Sequence, residues 1–395
     1  MKRGIWLGVL LCVLGATTAR GQTRIEVLTE PGTPVVATEF LLTVGPADEP
    51  NSKGGVAYLG ARAVIAQLQP VLDSLGARVA ITPQKDALSF SIVSAPEVWE
   101  EATEEVVRGL FRESADSVIM ERERRSILAE LRGRTSNPAD AAVREMDNAF
   151  FGADHPWGRP IIGTAGSIAT LTYSDIDEFL RAHFTPDRAL AVVVGPVDAP
   201  DARQHLRPLL GSTFPPPVEV IPYRSAGLPI HRDYNSITTW LTASFRFPET
   251  ADEEAVRFIA YLAAEEISFS LRQRSVYNVS SEVVPRVGSG EIRLQVVVPP
   301  EEAEAWSDRV EGMVETLIDG SMPPDVFAGH RRRFYGQRLA SLLAPEDRAH
   351  AAVRQLFVRG RLGSLVPDPL ELTEDSIREA ARSLETPAIV LLGPI

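Results

Sequence analysis

The spacing of apolar residues changes period several times along the chain, and each change marks an element. IEVLTE, from Ile25, and VVATEFLLTV, from Val35, alternate as strands. After the glycine pair in GGVAYLGARAV, Val56, Leu59, Ala63 and Val64 recur at helical spacing, which predicts an amphipathic helix from Val56 to about Leu75. ARVAITP and ALSFSIVSA then read as a strand pair, and helices are expected at 96–112, 117–133 and 138–150. Strands and helices segregated in this order predict an α+β fold, a mostly antiparallel sheet with helices packed on one face. A doubly wound parallel sheet is the alternative, but it needs a strict βαβ alternation that the pattern lacks.

The pattern then repeats. LTYSDIDEFLRAHFTPDRALAVVVGP at 171–196 returns as LTEDSIREAARSLETPAIVLLGP at 372–394, each a Thr-capped helix followed by an apolar strand ending in Gly-Pro. SVIMERERRSILAELRGRTSNPADAAVREMDNAFFG, from Ser117, is echoed by DVFAGHRRRFYGQRLASLLAPEDRAHAAVRQLFVRG, from Asp325. FLLTVGPADE is echoed more faintly by WLTASFRFPETADE. Offsets of about two hundred residues predict two homologous domains, 22–211 and 227–395, joined by a proline-rich linker at 212–226. Two such long units are too few for a solenoid.

Composition narrows the class. With 395 residues, 44% of them apolar, the chain has material for two packed cores. Residues 1–21 have the form of a signal peptide: Lys2 and Arg3, an apolar run from Ile5 to Leu14 too short to span a bilayer, then small residues. Cleavage is expected near Gly21–Gln22, with export to the periplasm and no membrane span in the mature chain. The single cysteine, Cys12, lies inside that run, so the processed chain holds its fold without disulfides. The formal charge of −13 becomes more negative once Lys2, Arg3 and Arg20 leave, which argues against nucleic acid or anionic membranes as partners.

Few catalytic patterns are present. No two of the six histidines stand at i, i+4, and CxxC, GxSxG, GxxxxGK[ST] and a strand-following GxGxxG are absent. One stretch has a family character: FFGADHPWGRPIIGTAGSIATLTYSDIDEFLRAHFTPDRALAVVVGPVD, residues 150–198, resembles the insulinase/pitrilysin family of zinc metallopeptidases, processing peptidases included. SLGARVAITPQKDALSFSIV and the internal duplication extend the resemblance over most of the chain. Active members carry His-x-x-Glu-His on the helix after the glycine-rich turn, with two zinc-binding histidines, a general-base glutamate, and a later Glu-x6-Glu that supplies the remaining ligand. By this resemblance those positions are Tyr58, Ala61 and Arg62, with Glu123 the supporting residue and Glu130 the former ligand.

The replacements are chemically severe. A phenol is a poor substitute for neutral imidazole. A guanidinium ~4 Å from Zn²⁺ costs roughly 8 kcal/mol at an effective dielectric of about 20. Losing the general base forfeits roughly 10²–10⁴ in rate. Zinc is therefore expected to be absent and no catalytic residue is assigned; Arg62 is expected to pair with Glu130 in the metal's place. In the second domain, LRQRSVYNVSS at 271–281 resembles the family's substrate-contacting Leu-Arg-x-x-Arg-Gly-Leu-x-Tyr with one residue fewer. Arg272 or Arg274, with Tyr277, are the candidate substrate contacts; an arginine-rich helix end followed by a strand tyrosine is the plainer reading. His155, in DHPWGRP, is expected to order its loop. The resemblance implies a non-catalytic subunit of an exported peptidase, paired with a zinc-bearing homologue or with itself around peptide substrates. A scaffold or peptide-binding protein with no proteolytic partner is the alternative, and an active peptidase with rearranged ligands the third.

Overall fold

The computed structural model describes residues 24–112, 115–152, 155–210, 229–271, 276–320, 322–366 and 368–395. The expected signal segment 1–21, the linker 212–226, Arg272 and Arg274 lie outside the described residues.

The first half runs β1 (Ile25–Thr29), β2 (Val36–Leu42), α1 (Val56–Ser74), β3 (Arg78–Pro83), β4 (Leu88–Ser94), α2 (Trp99–Arg112), α3 (Ser117–Ser136), α4 (Pro138–Phe151), α5 (Ala165–Thr170), α6 (Tyr173–His183), β5 (Ala189–Gly195) and α7 (Ala199–Leu210). The second runs β6 (Ile230–Arg232), β7 (Thr239–Pro248), α8 (Glu253–Leu271), β8 (Asn278–Arg286), β9 (Ser289–Val298), α9 (Ala303–Asp319), α10 (Pro324–Ala340), α11 (Pro345–Arg359), α12 (Glu374–Arg382) and β10 (Ala388–Leu392). Each half builds a five-stranded sheet, ordered β1-β5-β2-β4-β3 and β6-β10-β7-β9-β8. In each, the short outer strand runs parallel to its neighbour and every other pair is antiparallel. The duplication read from the sequence is thus carried strand for strand. Thr172 and Thr373 cap α6 and α12 through reciprocal bonds with Asp175 and Ser376, as the two Leu-Thr motifs predict.

The strands alternate in what they face. On β2 and β4, Phe40, Leu42, Phe90 and Ile92 pack with α1, α2 and α6 of their own half. The opposite face carries Ala37, Leu41, Leu190, Val192 and Val194, and it is covered by Ala349, Ala352, Val353 and Leu356 of α11, from the other half. The exchange is reciprocal: Met146, Phe150 and Phe151 of α4 cover Ala388 and Val390 of the second sheet. Each sheet therefore has its own helices on one face, as expected, and a helix lent by the other half on the other.

Charged groups are buried where the halves meet. Lys85, in the β3–β4 turn, lies 2.9 Å from Asp147 on α4, which also receives Arg293 of β9 at 2.8 Å. Arg293 and Arg286 both hold Glu291, at 2.7 and 2.5 Å, and Ser244 donates to it. The neighbouring Asp86 takes Arg354 of α11 at 3.1 Å. Adjacent residues of one turn thus clasp both exchanged helices.

Candidate functional site

The sequence-marked site forms where α1 meets α3. Gly55 starts α1 at φ 86°, a conformation that suits glycine, and has no side chain to cap the helix. Glu49 supplies the cap from a distance, accepting from the N–H of Gly55 at 2.8 Å and of Ala57 at 3.1 Å. Burial pushes the Glu49 carboxyl up to about 7, against the pull of those two donors and of Arg159. One turn on, a Cβ on Gly60 would sit 2.9 Å from Leu180, so its absence lets α6 lie close against α1.

This packing sets the direction of Arg62. Its Nη2 and Nε reach Glu123 Oε2 at 2.8 and 3.1 Å, its Nη1 reaches Glu130 Oε2 at 3.3 Å, and Nη2 also donates to Ser126 at 3.0 Å. The guanidinium lies 5.6 Å from the centre of the Tyr58 ring, and Arg134 takes the other Glu130 oxygen at 2.9 Å. The expected pairing of Arg62 with Glu130 is present, and Glu123, read as a supporting residue, is the closer partner. Ala61 is fully buried and contributes only packing. Burial, then the Glu130 charge, push the Tyr58 phenol above its ordinary value, so it stands as a neutral ring.

These side chains do not fit zinc. The two carboxylates are already bridged by a fixed cation, the neighbouring phenol is protonated, and no imidazole is within the group. Among the described residues no three His, Cys, Asp or Glu side chains converge as a metal-holding set.

Tyr277 stands apart from this cluster. It immediately precedes the edge strand β8, with its N–H on Val297 O at 2.7 Å, and the residue is 58% exposed. His155 accepts from the N–H of Trp157 at 3.1 Å and so caps the turn of its loop, the structural role expected for it. His183 ends α6 stacked on Phe179 at 4.4 Å. Sequence reading missed the interface ion cluster; a trace of it is the charged pair Glu291 and Arg293 inside a largely apolar strand.

Comparisons with known proteins agree with this fold. A family model described as the peptidase M16 inactive domain matches residues 170–334. An uncharacterized zinc protease of Mycobacterium tuberculosis (strain ATCC 25618 / H37Rv) is 38% identical over 85 residues, 22% of this chain and 19% of that protein. One of Mycobacterium leprae (strain TN) is 37% identical over 93 residues, 24% and 21% of the respective chains. The match spans only about a fifth of the length of these relatives. Among solved structures, a peptidase M16 inactive domain from Pseudomonas fluorescens superposes with TM-score 0.80 at 17% identity, covering 94% of this chain and 96% of the other. A chain of complex III2 from Candida albicans gives 0.76 at 12%, covering 93% of each, and a protease from Helicobacter pylori 0.74 at 16%, covering 94% and 97%. The structural likenesses establish the fold, and residues 170–334 match the peptidase M16 inactive domain; together with the sequence matches they support a likeness to insulinase-like, degenerate members of that family.

Proposed function

We propose that the chain is a non-catalytic subunit of an exported insulinase-like metallopeptidase, which binds no zinc itself and pairs with a zinc-bearing homologue. The observation that carries this reading is Arg62, whose guanidinium bridges Glu123 and Glu130 at the place where the family motif puts a divalent ion. A subunit freed from metal chemistry still needs the fold, and both halves keep theirs, with two complete sheets. In this reading the chain contributes a wall of the peptide chamber and, through Tyr277 with Arg272 or Arg274, contacts to substrate. The exported location rests on the signal-like pattern of residues 1–21.

The test is reconstitution. Mixing the purified chain with a zinc-bearing homologue from the same genome is expected to give a stable complex and a changed rate of peptide hydrolysis. No association and no rate change would favour the second reading, a scaffold without a proteolytic partner, for which the likeness to a complex III2 chain is the specific support.

A further inference from the structure

The two halves are not filled alike, and the difference leaves a cavity. Arg124 on α3 donates to Leu171 O, just before the Thr172 cap of α6, and Arg331 on α10 donates to Leu372 O, just before the Thr373 cap of α12. These two arginines fix the equivalent points of the halves. In the first half, residues 152–172 connect α4 to α6, and their apolar members Ile162 and Ile168 are buried against the start of α1. A Cβ on Gly55 would sit 2.7 Å from Ile168 Cδ1, and Ser167 Oγ donates to Gly54 O at 2.8 Å. The chain thus plugs the start of its own helix with a short peptide segment anchored by an isoleucine.

In the second half the corresponding connector, residues 360–373, is shorter, and its described residues form a single 3-10 turn, Pro369–Glu371, rather than an α-helix like α5. At the place of the plug is a cavity of about 310 Å³ between the start of α8, α10, the end of α11 and the connector. Phe334, Leu365 and Leu372 give it an apolar lining. Its charged lining is five carboxylates and three guanidiniums, so it is negative on balance. The guanidiniums are engaged within the protein: Arg359 with Glu253 at 2.6 Å, Arg338 with Glu254 at 3.3 Å, Arg331 with Leu372 O at 3.3 Å. Asp252, Asp368 and Glu371 are exposed carboxylates among the lining residues.

We propose that this cavity is a docking site for a peptide segment of a partner protein, one that inserts an aliphatic side chain as Ile168 does in the first half and carries a basic residue beside it. The internal plug is the precedent for an aliphatic anchor at this point of the fold, and the excess of carboxylates selects the charge of the flank. The site lies in the second half, away from Arg62, and does not depend on pairing with a peptidase.

The test uses the full mature chain alone and a synthetic octapeptide with the sequence of residues 163–170, GTAGSIAT, extended by one arginine. Titration followed by methyl NMR is expected to give saturable shifts at Leu365 and Leu372. Replacing the isoleucine by asparagine is expected to weaken binding on the order of 10–100-fold, the value of one buried aliphatic side chain. Glu371→Lys should weaken the arginine-bearing peptide several-fold more than the plain octapeptide, by the charge argument above. Ser364→Trp, an exposed position on the connector, should fill the cavity and abolish the shifts at an unchanged melting temperature. Absence of saturable shifts in the wild-type chain, or equal binding by the Ser364→Trp chain, would overturn the proposal.

Discussion

At the scale of single residues, Arg62 ties α1 to α3 through Glu123 and Glu130. Side-chain exposures of 23% for Arg62 and 12% for Glu123 put the bridge at the edge of the core, where two charge-assisted bonds onto one Glu123 oxygen outweigh an ordinary surface bridge. Arg62→Ala leaves Glu123 with only Arg122 at 3.3 Å and Glu130 with only Arg134 at 2.9 Å, and we expect a loss of roughly 1–2 kcal/mol in urea unfolding. Glu130→Ala keeps the closer Glu123 contact and should cost about 1 kcal/mol. Equal stability of all three chains would mean the bridge contributes nothing. The substitution of the motif and the Arg62–Glu130 pairing are legible in the sequence, because the Glu-x6-Glu spacing puts both carboxylates on one face of a helix. The preference for Glu123 is not, since it depends on the axial offset between α1 and α3 that tertiary packing sets.

At the scale of elements, the ion cluster between β9, β8 and α4 governs how the halves respond to acid. Burial alone would raise the Glu291 carboxyl, but Arg293 and Arg286 outweigh it and hold it down to about 2. A depressed carboxylate stabilises the fold above its unfolded value and loses that contribution as pH falls through its folded one. Stability is therefore expected to drop by roughly 3 kcal/mol between about pH 4.5 and pH 2 on account of this residue. Glu291→Gln should flatten that part of the profile while lowering stability at neutral pH, read by thermal melts across the range. An unchanged acid limb would contradict the assignment. The strands and helices themselves are legible from period two and helical spacing; α1, expected from Val56 to about Leu75, ends at Ser74. What the pattern hides is destination. Ala349, Ala352, Val353 and Leu356 form an ordinary amphipathic stripe, and nothing in a stripe says that it will cover the other half's sheet.

At the scale of the whole molecule, the exchange of α4 and α11 makes the two halves depend on each other. Expressed alone, residues 22–211 would expose Ala37, Leu41, Leu190, Val192 and Val194 on the sheet and Met146, Phe150 and Phe151 on α4, two apolar surfaces. Such a fragment is expected to aggregate, and co-expression with residues 227–395 to restore a soluble complex. A monomeric, cooperatively folding single half would contradict the exchange as a stabilising feature. The duplication is legible as repeated sequence, yet the sequence echo alone cannot distinguish two independent domains from two that share their covers.

In the proposed function the Arg62 guanidinium stands where the family motif puts a metal. The most direct measurement of this is the zinc content of the purified chain, by elemental analysis after incubation with excess zinc and removal of the unbound ion. Well under one zinc per chain and no chelator-sensitive peptide hydrolysis are expected. Stoichiometric zinc with hydrolysis that a chelator abolishes would contradict the proposed function.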